Sequence, residues 1–374
     1  MDRMNVLEYR RNNAAQALRE HNLRAALICN PRREDMERWL LDEVPLPGLA
    51  PFGTLNMLLV TDDAQVKPFS AAVNHPCDFP HFPLFDVEAL AGLVPDLRVG
   101  IVNGEFLLQS TYEALNTRYP GLKFVDISSQ MYQAKARKND DEVAAIRRST
   151  VLYHRVLRTV PVILRQDITE MDAAVDLRHR LALSGADVDF LAEDPMLSSL
   201  VTLTSAPDGG ESAQEPMLYP GRRITCGDRV NVSMKGVMPE SCAAIGRSFV
   251  LGEACQQSRE LWALAVQAQS MAASLVRPGV TLRSVCEQVN SFLTSHGCLP
   301  DHSCWIHGIG CSPCEAPRCV DASADMPLET NMTLVIAPRV LLPETDPYCC
   351  MDTFVVTEDG CKPLYPADQS LREI

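Results

Sequence analysis

Strand and helix signals alternate along the first 137 residues and then sort into blocks, and this change of order limits the chain to a few layered folds. An amphipathic helix over Val6 to Asn22 precedes a short apolar strand, Arg24 to Cys29. Further strands are expected at Asn56 to Thr61, Arg98 to Val102 and Leu122 to Val125, with a helix from Phe106 to Arg118. Proline is frequent between Pro45 and Pro83, so loops rather than regular elements are expected to dominate there. The pattern changes near Ala134 to Lys138. Asn139-Asp140-Asp141-Glu142 reads as a helix cap with an acidic first turn, and Val143-Ala144-Ala145-Ile146 starts an apolar stripe. Thr169-Glu170-Met171-Asp172 is a second capped start. Helices run to about Ser184, then come strands and an irregular polar loop from Ala206 to Pro216. Two more helices, Gln257 to Leu275 and Leu282 to His296, precede a final group of strands. The expected fold is an α/β N-terminal domain over residues 1–137 followed by an α+β domain over 138–374.

Composition narrows the function classes. At 374 residues, two domains are the default. The net charge of −14 argues against a nucleic-acid backbone or an anionic membrane surface as partner. No apolar run reaches membrane-spanning length, and Met1-Asp2-Arg3-Met4 starts no signal peptide, so a cytoplasmic protein is expected. The 14 cysteines then read as reduced thiols, most simply as small buried hydrophobes. Eight of them crowd the C-terminal part: Cys298, Cys304, Cys311, Cys314, Cys319, Cys349, Cys350 and Cys361. Cys311-x-x-Cys314 has zinc-ligand spacing, but no clean second pair completes it.

A histidine beside two glycines, His307-Gly308-Ile309-Gly310, lets backbone and imidazole approach a small ligand closely. With Glu315-Ala316-Pro317 this stretch resembles the histidine block of the creatinase/aminopeptidase P/methionine aminopeptidase superfamily, whose catalytic domain is the pita-bread fold. Lys138 to Arg147 resembles the helix that opens that domain. Gly227 to Ser233 with Arg247 to Gly252 resembles its aspartate-bearing strand pair, and Met332 to Pro338 and Asp352 to Gly360 resemble its two glutamate strands. The N-terminal domain suits the creatinase and aminopeptidase P branches.

The resemblance implies five metal ligands, and this sequence keeps one. The two aspartates, eleven residues apart in the family, fall on Ser233 and Ala244. The histidine is His307. The glutamate before a proline is Ala337, and the glutamate before an aspartate is Met351. Ser, Ala, Ala and Met offer no oxygen anion to a hard divalent cation, so neither metal nor cofactor is expected. Creatinase works on this fold without metal, by histidine acid–base chemistry on a C–N bond. The resemblance puts its carboxylate-binding arginine, eleven residues after the histidine, on Arg318, which otherwise pairs with Glu315 or Asp321. The two glutamates that grip a guanidinium in creatinase fall on Gly246 and Ala337, so a less basic head group than that of creatine is expected. The creatinase general-base histidine has no counterpart; Glu215 and Pro216 sit nearest.

The candidate catalytic residues are therefore His307 as general acid or base, Cys314 as a nucleophile at the family's second histidine position, and Glu315 as an orienting group. Arg318, Ser233, Cys242 and Cys350 are candidate substrate-binding residues. Against each stands a structural alternative: a hydrogen-bonded histidine, a buried inert thiol, a space-filling serine. In creatinase-like homodimers the N-terminal domain covers the partner's site, which makes His75 and His81 candidates in trans. The expected activity is metal-independent C–N bond hydrolysis of a small carboxylate-bearing metabolite, within specialised metabolism. A lyase or rearrangement reaction, an inactive binding domain, and a thiolate metal site built on Cys residues and His307 are the alternatives.

Overall fold

The structure, a computed structural model, describes residues 6–30, 36–41, 56–70, 83–186, 201–209, 222–238, 241–343 and 345–374. His75, His81, Glu215 and Pro216 lie outside the described residues. The chain divides into two compact units, Met1–Lys135 and Ala136–Ile374.

In the first unit the elements run α1 (Val6–Glu20), β1 (Ala25–Cys29), α2 (Met36–Leu40), β2 (Asn56–Thr61), β3 (Val66–Ser70), β4 (Arg98–Val102), α3 (Gln109–Arg118), β5 (Lys123–Asp126) and α4 (Ser128–Ala136). The sheet order is β3-β2-β1-β4-β5. β1 pairs parallel with β4 and antiparallel with β2. Its apolar run Ala25-Ala26-Leu27-Ile28-Cys29 suits a central position, since every side chain is buried. The proline-based expectation missed β3. Pro68 lies opposite Leu58 in that strand, and β3 is an edge strand, where the missing N–H donor is tolerated.

The second unit continues with α5 (Asp140–Leu157), α6 (Val160–Ile163), α7 (Glu170–Leu183), β6 (Val201–Pro207), β7 (Asp228–Val237), β8 (Cys242–Val250), α8 (Gln256–Leu275) and α9 (Leu282–Ser295). Short strands close it: β9 (Ile306–Gly308), β10 (Glu315–Arg318), β11 (Thr333–Ile336), β12 (Arg339–Val340), β13 (Tyr348–Cys349), β14 (Asp352–Thr357), β15 (Gly360–Pro363) and β16 (Arg372–Glu373). Asn139 and Glu142 form a reciprocal capping box at α5, and the Thr169 hydroxyl accepts from Asp172 N at α7.

One sheet runs β16-β8-β7-β6 and another β10-β9-β11-β14-β15. Alternation along β7 and β8 separates two jobs. Val230, Val232, Met234, Ala243, Ile245 and Phe249 pack into one core with Tyr153, Leu177 and Leu181 of the helices. Ser233, Lys235, Cys242, Ala244 and Gly246 therefore share the other face. The two sheets meet where Gly246 and Met351 exchange backbone hydrogen bonds of 3.0 and 3.1 Å. No helix among the described residues is long and apolar enough to cross a membrane.

Candidate active site

The site is built where that strand face meets β9 and β11. Ser233 lies opposite Gly246 and Lys235 opposite Ala244 on β7–β8, while His307 of β9 lies opposite Val335 of β11. Ala244, Ala337 and Met351, three positions where the resemblance expects carboxylates, instead pack together with Cys242, Ile309 and Val335. Met351 folds over Gly246: a Cβ at residue 246 would sit 3.2 Å from Met351 Cβ, 3.3 Å from Met351 Cε and 3.4 Å from Ser233 Cβ. An apolar cluster offers nothing to a hard cation, so this donor set does not fit the metal of the superfamily. Among the described residues no group of three or more His, Cys, Asp and Glu side chains is arranged to hold a metal ion.

His307 is buried, and its Nδ1 donates to the Gly308 carbonyl oxygen 2.8 Å away. That leaves Nε2 for Cys314, which hydrogen-bonds the imidazole. Burial disfavours the imidazolium, but the charge and hydrogen bond of Cys314 and the Gly308 carbonyl outweigh it and raise the pKa. Cys314 moves the other way, down to about 4. A hydrogen bond from Cys304 is the largest cause, burial opposes it, and the charges of His307 and Arg318 add to the lowering. Each group thus favours the charged form of the other, thiolate on Cys314 and imidazolium on His307.

Cys314 ends a line of thiols. Cys304 hydrogen-bonds both Cys314 and Cys319, and Cys319 in turn contacts Cys286 of α9. The Cys319 Sγ lies 3.4 Å from the Ser303 carbonyl oxygen, and hydrogen bonds from Cys286 and Cys304 lower its pKa to about 3 against the opposing effect of burial. The cations His307 and Arg318 lie on the Cys314 side and favour its thiolate.

The remaining expected residues are placed as follows. Glu315 is buried in an ion pair with buried Lys138. Arg318 Nε donates to Asp321 Oδ2 at 2.6 Å, and its backbone N–H donates to Ser323 Oγ at 2.8 Å. Cys242 is buried with its Sγ 3.2 Å from the Cys311 carbonyl oxygen. Cys350 is directed elsewhere, toward Gln269 Oε1 at 3.6 Å and Asp352 Oδ2 at 3.8 Å. Asp352 itself accepts from both Arg247 Nη2 (2.8 and 3.1 Å) and Gln269 Nε2 (3.2 Å), a buried structural network.

The two glycines of the histidine block pack against protein atoms. A Cβ on Gly308 would lie 2.5 Å from the Ala316 carbonyl oxygen, and one on Gly310 would lie 2.5 Å from Lys138 Cε and 2.6 Å from Glu315 Oε1. They make room for a neighbouring strand and a buried ion pair. Sequence reading missed Lys138, Cys304 and Lys235. Lys235 had a readable signal: two residues after Ser233 on a strand, it shares the site face. Its charge acts on His307.

Taken together, a smaller α/β unit followed by a pita-bread unit with a converted ligand cluster defines the class. The family model for metallopeptidase family M24 matches residues 144–358, more than half of the chain. The chain belongs to that family. The uncharacterized peptidase YqhT of Bacillus subtilis is 21% identical over 266 residues, covering 70% of this chain and 71% of its own. The Xaa-Pro dipeptidase of Pyrococcus furiosus is 21% identical over 252 residues, covering 67% and 68%. Among solved structures, dipeptidase PepE of Mycobacterium ulcerans superposes with a TM-score of 0.77 at 22% identity, covering 98% of each chain.

Proposed function

We propose that this chain hydrolyses a C–N bond in a small carboxylate-bearing substrate without a metal at the family's ligand positions, using Cys314 and His307. The supporting observation is the Cys314–His307 hydrogen bond at the position of the family's second histidine, beside an apolar cluster of Ala244, Ala337 and Met351. In this reading the Cys314 sulfur attacks the carbonyl carbon and forms an acyl-thioester. His307 gives its proton to the departing amine and then takes one from the water that releases the acid. Relatives named as Xaa-Pro dipeptidases place small peptides among the substrates to try. The homodimer and a role in specialised metabolism belong to the same reading, and sedimentation tests the former.

The packed Ala244–Ala337–Met351 cluster favours a second reading, an inactive domain that binds without turning over. Amine release from a panel of dipeptides and N-acyl amino acids, measured in excess chelator, separates them. Turnover that survives chelation and is lost in both His307→Ala and Cys314→Ser supports the hydrolase. Activity that needs added metal, or that survives His307→Ala, overturns it.

A further inference from the structure

The strand pair that the resemblance endows with two carboxylates has changed its sign in this chain. At 233 and 244 stand Ser and Ala, so the negative charge that would draw a cation is gone. Lys235 is the direct cross-strand partner of Ala244, and paired residues on adjacent strands present their side chains to one face. That face is the one bearing Ser233 and Cys242, because Val232 and Met234 point into the opposite core. The lysine is half-buried, and among the described residues no carboxylate is paired with it. A partly buried lysine on a strand face where the resemblance expects carboxylates is a place for an anion. Arg318, whose charge acts on Cys314, is already held by Asp321 at 2.6 Å.

We infer that Lys235 binds the carboxylate of the substrate beside His307 and Cys314, and so makes the site select anionic over neutral acyl compounds. This rests on the Cys314–His307 reading and assigns the residue that sets its substrate class. A Lys is a point charge rather than a planar fork, so it fits one carboxylate without demanding a bidentate geometry.

Two alkylating reagents of similar size, one anionic and one neutral, test it. Iodoacetate and iodoacetamide both transfer a carbon to sulfur, forming a C–S bond as iodide leaves with the electron pair. Only iodoacetate carries a carboxylate. Rates at Cys314, followed by peptide mass spectrometry at one pH, give a ratio in which the thiolate fraction cancels. Lys235→Met is expected to lower the iodoacetate-to-iodoacetamide ratio by roughly two- to fivefold, the upper part of the range for a partly exposed ion pair. Lys235→Arg is expected to restore it. An unchanged ratio in Lys235→Met, or a fall only in Arg318→Met, overturns the inference.

Failure of iodoacetamide to label Cys314 sinks the nucleophile reading instead, and a second measurement then decides on Lys235. Calorimetric binding of N-acetylglycine to Cys314→Ala protein is expected to weaken at least threefold when Lys235→Met is added. Equal binding overturns the anchor.

Discussion

Cys314 and His307 are an ordinary thiol and an ordinary imidazole until the fold puts them in contact in a half-dry place. The hydrogen bond from Cys304 stabilises the thiolate first, and the charges of His307 and Arg318 add to it against the opposing effect of burial. The sign of the pH dependence follows. Cys314 is ionised above about pH 4, while the raised His307 stays protonated beyond its usual range. Iodoacetamide labelling of Cys314 is therefore expected to hold steady as pH falls well below a free thiol's usual value of about 8.5, and to drop only near pH 4. His307→Ala is expected to move that midpoint upward, because it removes both a charge and a hydrogen bond. A wild-type midpoint near that of free cysteine would refute the pair. A second residue-scale test concerns Lys138 and Glu315. Both are fully enclosed, so Lys138→Met leaves a carboxylate without its counter-charge and is expected to cost about 3–5 kcal/mol in urea unfolding. The conservative substitution Glu315→Asp keeps the charge but shortens its reach, and is expected to cost less.

At the scale of elements, α5 and the β7–β8 pair carry the most readable information. Its capping box satisfies two backbone N–H groups at the start of α5, through Asn139 Oδ1 to Glu142 N at 2.8 Å and Glu142 Oε2 to Asn139 N at 3.0 Å. Asn139→Ala is expected to lower stability by about 1 kcal/mol, read as a shift in the denaturation midpoint at constant slope. Gly310→Ala is expected to be worse than its one added methyl suggests, because the new Cβ meets the Lys138–Glu315 pair. Thermal melting of the two variants side by side checks the order. The caps at Asn139 and Thr169 were legible because capping is a contact between residues three apart. β3 was not, because Pro68 reads as a breaker and only the sheet order reveals that its strand is on an edge. The Lys138–Glu315 pair was not legible either: 177 residues separate its members, and no local rule couples them.

For the whole molecule, the acid response is set on the far side of the joint between the two sheets. His154 is buried against Tyr365, with ring centroids 4.2 Å apart, and near Asp352. Burial lowers its pKa to about 4; Asp352 works against that shift, and Arg247 and Arg158 with it. An unfolded histidine takes up a proton near pH 6.5, so between that value and about 4 the unfolded chain binds more protons than the folded one. Stability is thus fully present above pH 6.5 and is lost as pH falls through this window, by up to about 3 kcal/mol. His154→Gln is expected to flatten that loss in pH-dependent urea titrations; an unchanged slope would place the acid sensitivity elsewhere. Metal analysis belongs at this scale too, and purified protein is expected to carry no stoichiometric divalent metal at the converted ligand positions. The sequence by itself determined the order of elements, the helix caps and the four substitutions that remove the family's ligands, because periodicity, capping and spacing are local properties. Only the tertiary structure decided that Ala244, Ala337 and Met351 close on one another, that Gly310 packs on an ion pair, and that Lys235 lies opposite Ala244 on the face that bears Ser233. Those facts depend on which distant strands meet, and burial and charge act through space rather than along the chain.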